Sequence, residues 1–277
     1  MNSRKLILSI FVVLCLNCDL LAQVTIAPTN LFIDSNNKFG TFMVINGSNQ
    51  AQEISVEFYF SYNKTDENGN RTYINDDSLT ANTHSVSDFI RAFPQNFILE
   101  PNTRQIIRVR ITAPNDLESG TYWSRVKTTS TNQAAPIELG SDDAVSARIG
   151  VVFEQITSLF YKVGDVNTRI SISDIETELS EEGILTLLTH YEREGNSLFL
   201  GTITANLKNN NGNVVRDANV STTLHFSGVQ RHTINIQDLE SGTYNVEVTF
   251  DSRRSDVSSS DLVQMEPVTK TTTVTIP

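Results

Sequence analysis

Residues Gln105–Lys127 read QIIRVRITAPNDLESGTYWSRVK, and seven of them, DLESGTY at Asp116–Tyr122, recur at Asp238–Tyr244. The surroundings recur in kind. Each copy follows a run of alternating apolar and polar residues, RQIIRVRITA or RHTINI, and leads into another, YWSRVK or YNVEVTF. Alternation with period two places every second side chain on one face of a strand. The seven residues between the runs are then a turn joining two strands. Gly120 and Gly242 can reverse the chain with φ > 0, and Thr-Tyr begins the next strand. Tyr122 and Tyr244 can each put a ring into the core and a hydroxyl on a backbone acceptor, while Leu117 and Leu239 plug the end of the core.

Two copies of one corner imply two domains of one kind, since such a tyrosine corner belongs to immunoglobulin-like sandwiches. The rest of the chain agrees. FGTFMVING, QEISVEFYFSY, NFILE and VSARIGVVFEQITSLFYK in the first half are strand-like, as are ILTLLTHY, LFLGTITANLK, NVVRDANVSTTLHF and TKTTTVTIP in the second. Asn, Gly, Pro and Asp punctuate them. Many short strands without intervening helices predict an all-β fold of two tandem antiparallel β-sandwich domains, 23–165 and 166–277, with the joint near Gly164–Asn167. Only DSLTANTHSVSDFIRAF and SDIETELSEEG suggest a helical turn, and neither sustains an apolar helical face.

The 277 residues carry 32 acidic and 21 basic side chains, a formal charge of −11, without a basic cluster in the sequence. This composition points away from nucleic acid. Residues 1–22 have Arg4 and Lys5 ahead of the apolar LILSIFVVLCL and end at LLA, the pattern of a secretory signal. Both cysteines, Cys15 and Cys18, lie within it, so the exported chain has neither disulfide nor thiolate chemistry. No second apolar span follows, which predicts a soluble periplasmic product without stable membrane insertion once the signal is removed.

The segment FILEPNTRQIIRVRITAPNDLESGTYWSRV, followed by ARIGVVFEQITSLFYK, resembles the periplasmic pilus-assembly chaperones, a family of two immunoglobulin-like domains. The matching positions are Leu99 and Pro101, Gln105 and Arg108, Asp116, Glu118 and Ser119, Tyr122 and Trp123, and Leu159-Phe160-Tyr161. The likeness covers about Pro28 to Lys162 with these motifs and extends to the second domain in architecture and order. It implies a non-catalytic protein without a cofactor, whose long strand lends itself to an exported subunit with an incomplete immunoglobulin-like fold. The side chains that would enter the subunit correspond to Ile149, Val151 and Phe153, on one face by period-two geometry. The family anchors the subunit's terminal carboxylate with an Arg and a Lys. The matching positions here are Asn30 and Ser158, both uncharged, and Lys162 stands where the family has Arg. The other reading is a structural or binding module of a secretion, adhesion or surface-assembly system that keeps the long strand to itself.

Other chemistry finds little support. His84, His190, His225 and His232 have no ligand partner at a recognised spacing, although His225 and His232 would approach one another if SGVQ formed a hairpin turn. DENGN at 66–70 and NNNGN at 209–213 read as hairpin turns, not calcium loops. No GxSxG elbow occurs. Tyr122 and Trp123, adjacent in a strand, must point to opposite faces, so they do not form a stacking platform.

Overall fold

A computed structural model describes residues 24–133 and 151–277. The first unit contains β1 (Val24–Ala27), β2 (Asn30–Asp34), β3 (Phe39–Asn46), β4 (Gln52–Tyr59), β5 (Tyr62–Thr65), β6 (Arg71–Ile74), helix α1 (Ser78–His84), β7 (Ile90–Phe93), β8 (Asn96–Leu99), β9 (Arg104–Ile111), β10 (Gly120–Asn132) and β11 (Val152–Val163). The second contains β12 (Arg169–Leu179), β13 (Ile184–Glu194), β14 (Phe199–Lys208), β15 (Val214–Leu224), β16 (Gly228–Asn235), β17 (Gly242–Asp251) and β18 (Val268–Ile276). Each unit stacks two sheets. The first pairs β1-β3-β9-β7 with β2-β11-β10-β4-β8, and the second pairs β12-β13-β16 with β15-β14-β17-β18. These are two immunoglobulin-like β-sandwiches in tandem.

Alternation builds both cores. In β9, Ile107, Val109 and Ile111 are buried while Arg104, Arg108 and Arg110 are exposed. They meet Val44, Val56, Val126 and Leu159 from the other strands. In β14, Phe199, Ile203, Ala205 and Leu207 point inward against Val246, Val248 and Phe250. Burying each large side chain contributes roughly 1.5–3 kcal/mol before entropy.

The repeated corners fall at equivalent places. The Tyr122 hydroxyl donates to the Glu118 carbonyl at 3.1 Å, and the Tyr244 hydroxyl to the Glu240 carbonyl at 2.9 Å. Leu117 and Leu239 pack against the two cores. The glycines differ. Gly242 has φ +154°, whereas Gly120 keeps a negative φ. At Gly120 the constraint is close approach: a Cβ would lie 3.1 Å from the Asn196 carbonyl oxygen of the second sandwich.

Three further features bear on the sequence reading. One pair, β2 with β11, runs parallel, because the first strand breaks at Pro28 and crosses from β3 in one sheet to β11 in the other. DSLTANTHSVSDFIRAF forms α1, capped by Asp77 on the Thr80 amide, then a 3₁₀ turn and β7, while SDIETELSEEG belongs to β12 and its turn. SGVQ begins β16 and is not a hairpin turn, since β15 and β16 lie in different sheets. The hairpin reading of DENGN and NNNGN matches the turns at Asp66–Asn70 and Asn209–Asn213, where Gly69 and Gly212 have φ +71° and +79°. Among the described residues, no helix is long and apolar enough to cross a membrane and no group of His, Cys, Asp or Glu could hold a metal.

The sandwiches meet through a third apolar cluster of Phe60, Tyr62, Trp123, Phe160, Leu198, Leu200 and Leu262. Trp123, one position past the corner tyrosine, is 3% exposed because the second sandwich covers it. Both aromatic residues of that pair are thus structural. Thr121 donates its amide to the Asn196 carbonyl at 3.0 Å, and its hydroxyl lies 2.8 Å from that of Ser197.

Candidate functional site: an open strand edge beside a buried arginine

Strand β11 spans twelve residues but is flanked on both sides over only part of its length. Along its whole length it pairs with β10, from Val152 opposite Thr131 to Val163 opposite Gly120. On its other edge β2 covers only Ser158–Lys162. Among the described residues, Val152–Thr157 therefore have no strand on that edge. Peptide groups of successive residues point to alternate edges of a strand. The Ser158 amide donates to Thr29 O, on the β2 side. By alternation the peptide groups of Val152, Glu154 and Ile156 face the open edge, and those of Phe153, Gln155 and Thr157 face β10. One polar contact reaches across, from the Gln155 side-chain amide to Val24 O at 2.7 Å.

The two faces of this half-strand differ. Odd positions share a face with Leu159 and Tyr161, which are buried in the first core. On that face Val151, at 47% exposure, and the half-buried Phe153 lie at the mouth of the sandwich. They line a cavity of about 370 Å³ with Val24, Ser48, Gln52 and Ser130. Even positions face outward. Val152 and Ile156 are 58% and 56% exposed, with Glu154 between them 3.8 Å from the Lys127 ammonium that also bridges to Glu57. Ile149 lies outside the described residues. The apolar side chains available on the outer face are thus Val152 and Ile156, in the opposite parity from the trio expected from sequence.

Asn30 and Ser158 face one another across the parallel pair, and Ser158 faces Arg125 across the antiparallel one. Arg125 was missed by sequence reasoning. It is a cation beside the uncharged Ser158, which pairs with Asn30. Its guanidinium donates from Nη1 to Ser158 Oγ at 2.6 Å and from Nη2 to Asn63 Oδ1 at 3.4 Å. Nε has no partner, and Arg125 forms none of the ion pairs found among the described residues. The residue is 9% exposed. Burial lowers its pKa, opposed by the nearby Tyr73 and Tyr59 hydroxyls. Among the described residues this buried guanidinium is held by neutral oxygens, a site that favours an anion. Asn30 is a poorer position, because the cleft it lines also contains Asp256 and Asp261. Lys162 is engaged with Asp261 O of the second sandwich at 3.1 Å.

Solved structures of similar overall arrangement include the YadV chaperone, 9% identical, with 92% of this chain and 100% of that chain covered at a TM-score of 0.44. A chain of the CsuC–CsuE chaperone–tip adhesion subunit pre-assembly complex, from the archaic chaperone-usher Csu pili of Acinetobacter baumannii, is 8% identical. Coverage there is 90% and 98%, with a TM-score of 0.45. The Pseudomonas aeruginosa CupB2 chaperone is 9% identical, with 89% and 98% covered and a TM-score of 0.41. No protein-family model matches the chain, and no curated protein is significantly similar to it.

Proposed function

We propose that this protein is a non-catalytic periplasmic chaperone that assists folding or assembly of an exported subunit by lending it the open half of β11. The observation that carries the reading is the bare edge at Val152–Thr157, with Val152 and Ile156 exposed beside it. Such an edge is a template for pairing and an aggregation hazard unless something occupies it. A subunit lacking one strand of its own sandwich would add its backbone to Val152, Glu154 and Ile156 and take the neighbouring apolar side chains into its groove. Arg125, with Ser158, would hold a carboxylate of that subunit, most simply its C-terminus. The carboxylate would replace the long contact to Asn63 and form a charge-assisted pair that Arg125 does not make among the described residues. Folding of the subunit supplies the driving force, so neither nucleotide nor cofactor is required.

Glu154→Pro tests this directly. The amide at 154 faces the open edge, so proline removes a donor that β10 does not use. The mature protein bearing a benzophenone side chain at Ile156 would be crosslinked in its own periplasm, with and without Glu154→Pro. The expected result is a discrete adduct to an exported subunit that the proline variant loses while its melting temperature stays near wild type. An adduct of unchanged yield in a folded Glu154→Pro protein would overturn the proposal.

A further inference from the structure

The reverse side of the first sandwich is the outward face of β1-β3-β9-β7. Cross-strand register sets its rows: Thr25, Ile45 and Arg104; Ala27, Met43 and Ile106; Thr41, Arg108 and Phe93; Phe39, Arg110 and Arg91. All four arginines are exposed, and Phe93, Ile106 and Phe39 are 74%, 56% and 53% exposed. These four strands contain neither Asp nor Glu. None of the four arginines forms an ion pair among the described residues. Arg110 lies over the Phe39 ring, 5.6 Å from its centroid, and Arg91 donates to the backbone oxygens of Asp88 and Ile90.

In a chain of net charge −11, this distribution runs against the average. Arg110 and Arg91 are directly opposed, a like-charge pair that destabilises a sheet, and no acid on the face offsets it. Arginine interleaved with Phe, Met and Ile is the composition of a protein–protein contact core.

We infer that this face docks a second protein partner, distinct from the client at β11, through an acidic patch of alternating carboxylates and apolar side chains. Along β9 the cations at Arg108 and Arg110 stand about 6.7 Å apart, the repeat of side chains on one face of a strand. An extended acidic segment matches that spacing. Four strands and four rows give roughly 400 Å², half the usual contribution of one partner to a stable interface. The contact should therefore be transient and sensitive to salt. It lies on the side of the sandwich opposite Val152 and Ile156, so it remains accessible while β11 is engaged.

The probe is a fluorescent peptide of alternating Glu and Val, titrated against the mature protein by anisotropy. Its Lys-Val counterpart and vesicles containing phosphatidylglycerol serve as comparators. Binding of the acidic peptide should weaken about tenfold in the Arg104→Ser/Arg108→Ser/Arg110→Ser variant. It should also weaken markedly when salt is raised from about 0.02 to about 0.2 M. The variant positions are exposed, and an unchanged melting temperature verifies the fold. Glu154→Pro should bind the peptide as wild type does, which separates this face from the open edge. Equal binding by the triple-serine variant, absence of binding, preference for the vesicles, or salt-sensitive self-association through these arginines would each overturn the inference.

Discussion

Replacing Arg125 with Met should strengthen the free protein and weaken its hold on a client. Arg125 is 9% exposed and, among the described residues, donates to Ser158 Oγ and Asn63 Oδ1, with Nε unpaired. Removing it forfeits two hydrogen bonds worth about 1 kcal/mol each. Both acceptors are half-exposed, so water can replace the donor. Against this loss stands the penalty of keeping a charge out of water with no counter-ion among the described residues. Replacing buried ionic groups with well-packed apolar ones is often neutral or stabilising by about 1–4 kcal/mol, and the Met chain fills much of the Arg stem. The net expectation is a gain of about 1 kcal/mol, raising Tm by about 2–4 °C. Trp123, the only tryptophan, sits in the adjoining interface, so its fluorescence during urea unfolding reports this region. Arg125→Lys should keep stability near wild type but hold a carboxylate less well, because an ammonium lacks the planar fork. A loss of more than about 2 kcal/mol in Arg125→Met, or client recovery equal to wild type, would show that the guanidinium serves the fold and not an anion.

The twin corners provide an internal comparison: Tyr244→Phe should cost about 1 kcal/mol and Tyr122→Phe less, following their 2.9 and 3.1 Å bonds and the deeper burial of Tyr244. Urea titrations of the two variants check this, and equal effects would remove the geometric basis. His232 is 5% exposed and burial lowers its pKa to about 4, so the folded state binds fewer protons there than the unfolded chain. Stability is then fully present above about pH 6.5 and falls by roughly 3 kcal/mol as pH drops through 6.5 toward 4. Denaturant midpoints across that window should flatten in His232→Gln, and an unchanged slope would contradict the assignment. Thr121→Val leaves the buried Ser197 hydroxyl without its 2.8 Å partner between the sandwiches and should cost about 1–3 kcal/mol, measured as a lower unfolding midpoint.

Much of the fold could be read from alternation and from the repeated DLESGTY, because a strand's inward face and a corner's Gly and Tyr are local requirements. What escaped was set by contacts distant in sequence. Gly120 is glycine because of a carbonyl of Asn196 in the second sandwich, not because of its own φ. Trp123 alternates like a surface residue and is buried by that sandwich. Arg125 lies between Ser124 and Val126 in a run that reads as core-then-solvent, and only the pairing with Ser158 shows where its charge points. Which face of β11 points inward was not legible for the same reason: VVF offers apolar residues to both faces, and Leu159 and Tyr161 fix the inward one. Arg104, Arg108 and Arg110 were legible as a solvent face, but Phe39, Phe93 and Arg91 join them only through register.

Residue-resolved hydrogen exchange of the mature protein examines the open edge most directly. The account predicts alternation within one half-strand: amides of Val152, Glu154 and Ile156 exchange rapidly, while those of Phe153, Gln155 and Thr157 are protected by β10. A bound client should slow the first three and leave the others unchanged. Protection of all six in the isolated monomer would mean that this edge is already covered, and β11 would have nothing to lend.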